Sequence, residues 1–412
     1  MSVVGELAGA ARPTDPGAFR VSVAGTNALI RLLVGWLEAP DPAAVGRLVG
    51  GLSPTTWQAW RLVVTTQGLA PHLFRSLPAT VLADVLPPHA REWLAEQDAL
   101  NARRIALMHA ELAAILAAAA GEGIPVMPLK GAHLTTMPGT DPYRRPMADL
   151  DLLVRPRDRD GLRAIVERLG YRHEPEHAPR PTHDVYVDRG GGRIVSGAGE
   201  HPDNPRRVEV HVEVKRHLWA WSTGDDLTGA LWAGAAEGEV LGYPAIVPAT
   251  ADLLAHLAVH ASSDLLVGRG RLIQWSDLAL VAPQASSDVL RNLPHPRLAY
   301  PALRLATRAF PRAMASVDLS ELAASVPDRL VRWAGTVPLD GRSGLQVGSG
   351  VVPPASLRAR WQRWYPRRWR LWVAYGDVPL AVALARHGLT MGSALWPRVR
   401  PKQIAADGEG HR

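Results

Sequence analysis

The stretch Arg-Pro-Met-Ala-Asp-Leu-Asp-Leu-Leu-Val at residues 145–154 alternates two carboxylates, Asp149 and Asp151, with leucines. This period-two pattern predicts a β-strand over residues 148–154. Alternate residues of a strand share one face, so both carboxylates project to the same side, about 7 Å apart. Such a pair can hold a hard cation such as Mg²⁺, which prefers one or two carboxylates together with substrate phosphates. Taken alone, Asp-x-Asp is better explained by an edge strand with a polar outer face.

The residues before this strand supply positive charge and a glycine turn. An apolar run at residues 124–129 predicts a short strand that leads into Lys130 and Gly131. Glycine at such a turn lets backbone N–H groups and a helix N-terminus approach a phosphate, and Lys130 adds a point charge. The guanidinium groups of Arg144 and Arg145 suit phosphate oxygens, although simple solvation explains these arginines equally well. We therefore expect Lys130, Gly131 and Arg145 to contact a phosphate.

A second acidic strand is predicted downstream, over residues 207–214. Glu209, His211 and Glu213 share one face of it, and valines form the other. The valine face indicates packing on a sheet, and the acidic face can complete a metal site, with Glu209 favoured over Glu213 as the third carboxylate. His211 orients a carboxylate or acts as a base, or it is a structural histidine.

Around these strands the sequence divides into five regions. We expect a flexible leader at 1–20, a helical region at 21–120, an α/β core at 121–245, a second helical region at 246–398 and a polar tail at 399–412. The last N-terminal helix is predicted at 88–120, a helix in the core at 157–169, and C-terminal helices at 251–261, 272–280, 301–310 and 319–324. A flexible hairpin loop is favoured over a mobile lid for the glycine-rich residues 189–204.

Composition limits the chemistry. The 412 residues contain no cysteine, which excludes disulfides, thiolate zinc sites and cysteine nucleophiles. Lys and Arg number 46 against 39 Asp and Glu, a net charge of +7 that reflects either arginine-rich codon usage or a need for anions. We find no secretory signal and no apolar stretch of the roughly 18–20 residues that a membrane span needs, so a cytoplasmic location without a membrane span is expected.

Two further patterns are weaker. His256 and His260 have metalloprotease spacing, but Leu257 stands where that motif has its Glu, so a structural pair is favoured. Residues 361–370 mix tryptophan and arginine. Amphipathic helices docked by their Trp faces are favoured there, while nucleic acid remains a possible but not a favoured partner and a membrane surface is less favoured still.

In their order along the chain, these features resemble the nucleotidyltransferases of the polymerase-β superfamily, and within it the bacterial group known as the uncharacterised nucleotidyltransferase family. The resemblance spans roughly residues 30–390. It is carried by the following segments: 101–120, 123–125, 129–132, 143–154, 170–171, 208–211, 252–261 and 275–278.

The resemblance implies an α+β fold with a mixed-sheet core flanked by helical segments. It also implies an enzyme in which Mg²⁺ (or Mn²⁺) is held by Asp149, Asp151 and Glu209. Lys130, Gly131, Arg145 and His211 are then the residues expected to bind the nucleotide. The substrate would be a nucleoside triphosphate, with ATP expected, whose α-phosphorus is attacked by the hydroxyl of an acceptor that the family does not specify.

One departure from the superfamily leaves an alternative open. Gly131 is followed by Ala132, where the superfamily usually has Gly or Ser. The alternative is a catalytically weak nucleotidyltransferase-fold binding or antitoxin-like protein that acts through a partner. For the enzyme, we expect Asp151→Asn to abolish transfer and to improve folding slightly, because it removes one of three like charges.

Overall fold

The computed structural model describes residues 11–15, 18–21, 23–38, 42–84, 86–174, 183–188, 201–216, 225–266, 270–339, 345–347 and a few positions between 379 and 385. Within these ranges the chain has the mixed α+β architecture that the sequence predicts. The predicted tail at 399–412, the basic-aromatic segment at 361–370 and most of the glycine-rich loop at 189–204 lie outside them.

The region before residue 122 is mainly helical, as predicted. Within the segment expected to be a leader, two short strands pair antiparallel, and the second also pairs with a distant strand, β12 (Leu345–Val347). The elements of this region are β1 (Ala11–Asp15), β2 (Ala18–Val21), α1 (Val23–Leu37), α2 (Pro42–Gly50), α3 (Pro54–Gln67), α4 (Ala70–Ser76), α5 (Ala79–Asp84) and α6 (Pro88–Gly121).

The long helix α6 is apolar and long enough to cross a membrane by composition alone. In this protein it is a core helix: Ile105, Met108 and Leu112 are fully buried against the sheet described next. Core helices of soluble proteins commonly pass the same composition test, so α6 gives no reason to infer a membrane span.

A five-stranded mixed sheet forms the centre of the α/β core, in the order β3-β4-β7-β6-β5. The central pair, β4 and β7, is parallel, and the other neighbours are antiparallel. Its elements are β3 (Met127–Pro128), α7 (Lys130–Leu134), β4 (Asp149–Leu153), α8 (Arg159–Arg168), β5 (Tyr171–Glu174), β6 (His183–Asp188) and β7 (Arg207–His211).

Arg104 of α6 fixes the entry points of the two central strands. Its side chain is 1% exposed. Its guanidinium donates hydrogen bonds to the carbonyl oxygens of Met147 and Ala148, directly before β4. It also donates to three carbonyls before β7, those of His201, Asn204 and Pro205. One buried side chain therefore satisfies five backbone acceptors and aligns β4 with β7.

The C-terminal part of the described chain is again mainly helical. The predicted helix at 301–310 begins earlier, at Pro296, because proline fits the first helical turn, and the structure accommodates Pro301 inside the helix. The hairpin of β10 and β11 was not predicted. The elements are β8 (Lys215–Arg216), β9 (Asp225–Asp226), α9 (Thr228–Gly234), β10 (Ala236–Val240), β11 (Tyr243–Val247), α10 (Thr250–Leu266), α11 (Leu272–Val281), α12 (Ser287–Arg291), α13 (Pro296–Ala309), α14 (Ser320–Ala324) and α15 (Asp328–Thr336).

Candidate active site

The parallel pairing of β4 and β7 brings the predicted carboxylates to one face of the sheet. Asp151 is the register partner of Glu209, and Asp149 lies two residues earlier on β4. Residues at this spacing share a face, and the contacts that His211 makes with both Asp151 and Glu209 show that this face is common to both strands. The three side chains predicted as metal ligands therefore lie near one another.

Asp151 is the most buried of the three, with a side chain that is 1% exposed. Its Oδ1 accepts a hydrogen bond from Nζ of Lys130 at 2.5 Å and lies 3.0 Å from Nε2 of His211. Burial raises the pKa of Asp151, but the charge of Lys130 and the hydrogen bond with His211 outweigh burial and hold it well below its usual range. Asp151 is thus a stable anion in this arrangement.

Asp149 is in a different electrostatic position. Among the described residues, its carboxylate forms no ion pair or hydrogen bond. Burial, reinforced by repulsion from Asp151 and Glu209, raises the pKa of Asp149 to about 6. A cation near Asp149 would relieve this repulsion.

Asp149 and Asp151 line a cavity of about 780 Å³, its open mouth included. Lys130, Gly131 and Arg145 contribute to its wall, so the predicted nucleotide-contacting residues border the same space, apart from His211. Helices of the C-terminal region close the other side. No local sequence pattern marks the following residues as cavity-lining ones: Leu257, His260, Arg271, Ile273, Gln274 and Asp277.

The turn at Lys130 is strained. Lys130 has a φ of +45°, a left-handed conformation that is uncommon for residues other than glycine. Such backbone strain concentrates at functional sites, where the surrounding structure maintains it. In this protein, the strained residue is the one whose ammonium donates a hydrogen bond to Asp151.

Gly131 is closely packed against two side chains. A Cβ atom at this position would lie 2.5 Å from Nη1 of Arg145 and 3.0 Å from Sδ of Met147. Ala132 is fully buried in the core that contains Leu150 and Leu152. The hydroxyl of a serine in place of Ala132 would therefore not face the cavity.

Arg145 is committed to a partner that the sequence did not reveal. Its Nε and Nη2 donate to the two carboxylate oxygens of Asp277 at 2.7 and 2.9 Å, in a bidentate pair. The side chain of Asp277 is 7% exposed, and that of Arg145 is 21% exposed. The pair joins the α/β core to α11 beside the cavity. Arg144, by contrast, is turned towards Ser76 and His72 and does not line this cavity.

Comparison with known proteins identifies the family. The family model described as "Uncharacterised nucleotidyltransferase" matches residues 53–306. The chain belongs to this nucleotidyltransferase family. Among curated proteins, none matches the chain. One solved structure similar to this nucleotidyltransferase is the solution structure of the antibiotic-resistance factor ANT(2'')-Ia, with 16% identity, a TM-score of 0.32, and coverage of 45% of this chain and 87% of that chain.

The nucleotidyltransferase core also contains a histidine that the sequence did not single out. His183 begins β6 and is the register partner of His211 on β7. Nε2 of His183 and Nε2 of His211 each lie 3.5 Å from Oε2 of Glu209. Burial lowers the pKa of His211, but hydrogen bonds with Asp151 and Glu209 outweigh burial and raise it. Only the pairing of β6 with β7 brings His183 here.

The charges at Asp151 overturn one expectation. Replacing Asp151 by Asn was expected to improve folding by removing a like charge. Because Asp151 is already paired with Lys130 and hydrogen-bonded with His211, that replacement would leave a largely buried ammonium without its anion. The residue whose charge is repelled is Asp149.

Proposed function

We propose that this protein is an enzyme that transfers a nucleoside monophosphate from a nucleoside triphosphate, with ATP as the expected donor, to an acceptor hydroxyl. Asp149, Asp151 and Glu209 would hold Mg²⁺, which Mn²⁺ could replace. We also propose a cytoplasmic location for the reaction. The acceptor, whether a small molecule, a peptide or a protein, is left open.

The observation that carries this proposal is the carboxylate of Asp149 at the wall of the cavity. Burial, and then repulsion from Asp151 and Glu209, raises its pKa to about 6. The donor set fits the ion, because Mg²⁺ takes carboxylate oxygens and leaves positions for substrate phosphates. When bound, the metal supplies charge neutralisation for the phosphates and for the attacking oxygen.

The neighbouring residues provide the rest of a phosphate site. Lys130 lines the cavity and donates to Asp151. Its ammonium can interact with a triphosphate as well as with this carboxylate. Gly131 keeps the turn narrow enough for Arg145 to pack against it. We assign Arg145 a positioning role, because Nε and Nη2 of its guanidinium already donate to Asp277. Arg145 would contact a phosphate only through a donor group that Asp277 does not occupy.

The alternative of a catalytically weak binding or antitoxin-like protein has less support. Its main basis in the sequence is Ala132, and this residue is buried in the core, away from the cavity. A hydroxyl at this position would not reach a substrate in the cavity. The acidic residues that catalysis would need are all present.

The test combines a binding assay with a transfer assay. Purified protein is incubated with Mg²⁺ or Mn²⁺ and ATP labelled at the α-phosphate, with small-molecule, peptide and protein fractions of a cell extract as acceptors. We expect labelled product from the wild type and none from Asp149→Asn. Asp160→Asn is the matched control, because Asp160 lies on α8 of the same core with a side chain that is 90% exposed.

Two results would count against the proposal. If no nucleotide binds with either metal, the nucleotidyltransferase function fails. If ATP binds but no fraction becomes labelled, and Asp149→Asn binds a partner protein as well as the wild type does, the binding-protein alternative is favoured.

A further inference from the structure

A second group of potential metal ligands lies beside the proposed Mg²⁺ site. His183, Glu209 and His211 each offer one ligand atom, and these atoms lie within 4.8 Å of one another. Their side chains are 18%, 17% and 10% exposed, so the group is largely buried but still accessible to solvent. Two imidazoles and a carboxylate form a donor set unlike that of a typical Mg²⁺ site, which is made of oxygen atoms.

The spacing of these atoms matches a small coordination sphere. Ligand atoms about 2.1 Å from a tetrahedral ion are roughly 3.4 Å apart. The two distances from imidazole Nε2 atoms to Oε2 of Glu209 are both 3.5 Å. All three ligand atoms lie within 4.8 Å of one another, so a modest side-chain movement would bring the two imidazoles onto one ion.

Asp151 lies beside this group and supports it. Its Oδ1 lies 3.0 Å from Nε2 of His211, on the same face of the sheet. The same oxygen is paired with Lys130 at 2.5 Å, so Asp151 already has its counter-charge. Two imidazoles and one carboxylate therefore supply three protein ligands, and water can complete a four-coordinate sphere.

We propose that His183, Glu209 and His211 bind a divalent transition-metal ion of the Zn²⁺ class. Imidazole ligands favour first-row transition metals over Mg²⁺. The ion would cross-link β7 and β6, whose pairing positions the ligands. Glu209 is common to this group and to the residues proposed above to hold Mg²⁺, so the inference is tested separately from nucleotidyl transfer.

Binding can be tested on untagged, metal-stripped protein without nucleotide. Co²⁺ serves as the probe, because its visible absorption band reports four-coordinate geometry. We expect one equivalent of Co²⁺ to give this band, excess Mg²⁺ not to remove it, and Zn²⁺ to displace it. We also expect Co²⁺ to raise the melting temperature, because only the folded protein presents the site.

Variants locate the site. His183→Gln should weaken Co²⁺ binding by more than about 100-fold, because loss of even an outer-shell partner commonly costs 10- to 100-fold. His173→Gln is the matched control, since His173 lies on β5 of the same sheet, beside Asp184 and Tyr186. Circular dichroism of metal-free samples establishes that each variant is folded.

Three results would overturn the proposal: wild-type protein without stoichiometric Co²⁺ binding, a His183→Gln variant that binds as tightly as the wild type, or equal losses in His183→Gln and His173→Gln. Asp149→Asn separates this site from the proposed activity, because Asp149 is not one of the three ligands. That variant should keep Co²⁺ binding while it loses nucleotidyl transfer. Failure of the transfer assay alone would leave the Co²⁺ result standing.

Discussion

Nζ of Lys130 lies 2.5 Å from Oδ1 of Asp151, in an ion pair whose acidic side chain is 1% exposed. Asp149, two residues away on the same strand, forms no such pair among the described residues. The two carboxylates of one Asp-x-Asp pattern therefore differ in charge balance: Asp151 has its counter-charge in place, and Asp149 does not. This difference predicts opposite effects of the same substitution.

At pH 7.5 without metal, Asp149→Asn should stabilise the protein by about 1–3 kcal/mol, because it removes a charge that burial and two carboxylates disfavour. Asp151→Asn should destabilise it by about 3 kcal/mol, because it leaves Lys130 with no anion. Melting temperatures of the two variants and the wild type measure both effects. Shifts of the same sign for both variants would contradict this electrostatic account.

Arg104 should be essential for the alignment of the two central strands. Arg104→Met removes hydrogen bonds to five backbone carbonyls, two of them in fully buried bonds, and should cost about 3 kcal/mol or more. Arg104→Lys should recover only part of this, because an ammonium has three donors. Arg103→Met is the control, since Arg103 precedes Arg104 on α6 and is exposed. Chemical denaturation measures the losses, and a lysine variant as stable as the wild type would show that the guanidinium fork is not needed.

Much of the fold followed from local patterns, and most of the missed features depend on pairing between distant residues. Alternation placed Asp149 and Asp151 on a strand, and periodicity placed α6 within a residue or so of its observed bounds. His183 joins the site only through the antiparallel register of β6 with β7. Arg104 is one of three arginines in α6, and no local sequence pattern indicates that it is the buried one. The pairing of Arg145 with Asp277 likewise joins residues 132 positions apart.

Gly131 should not tolerate a methyl group. Gly131→Ala would drive Cβ against the Arg145 guanidinium and Met147, and we expect a cost of about 1–3 kcal/mol. Gly35→Ala is the matched control, because Gly35 lies within α1 and a Cβ added there would meet no atom within 4 Å. The control should gain about 0.5–1 kcal/mol from helix propensity. If both variants melt like the wild type, the turn is looser than its contacts indicate.

The pair formed by Arg145 and Asp277 should behave as one unit. Arg145→Met and Asp277→Leu should each cost about 3–5 kcal/mol, because each leaves a largely buried charge without its partner. The double variant should lose less than the sum, with a coupling energy of at least about 1 kcal/mol. A double-mutant cycle by chemical denaturation gives this quantity. Additive losses would mean that the residues act separately and that Arg145 has other partners.

His133 should make stability depend on pH. The residue is 6% exposed, and burial lowers its pKa from 6.5 to about 4. Well above pH 6.5 the imidazole is neutral in both the folded and the unfolded chain. In that range His133 therefore does not make the free energy of unfolding depend on pH. As pH falls from 6.5 to about 4, the unfolded chain binds a proton that the folded chain does not. Stability is therefore lost over this window, by up to about 3 kcal/mol.

The measurement for His133 is the free energy of unfolding of the wild type and His133→Gln at several pH values from 7.5 to 4. The difference between the two proteins should shift in favour of the variant as pH falls, because glutamine does not titrate. His89→Gln is the control, since His89 is exposed on α6. A constant difference between His133→Gln and the wild type across the whole range would mean that the buried imidazole binds its proton in the folded state as readily as in the unfolded chain.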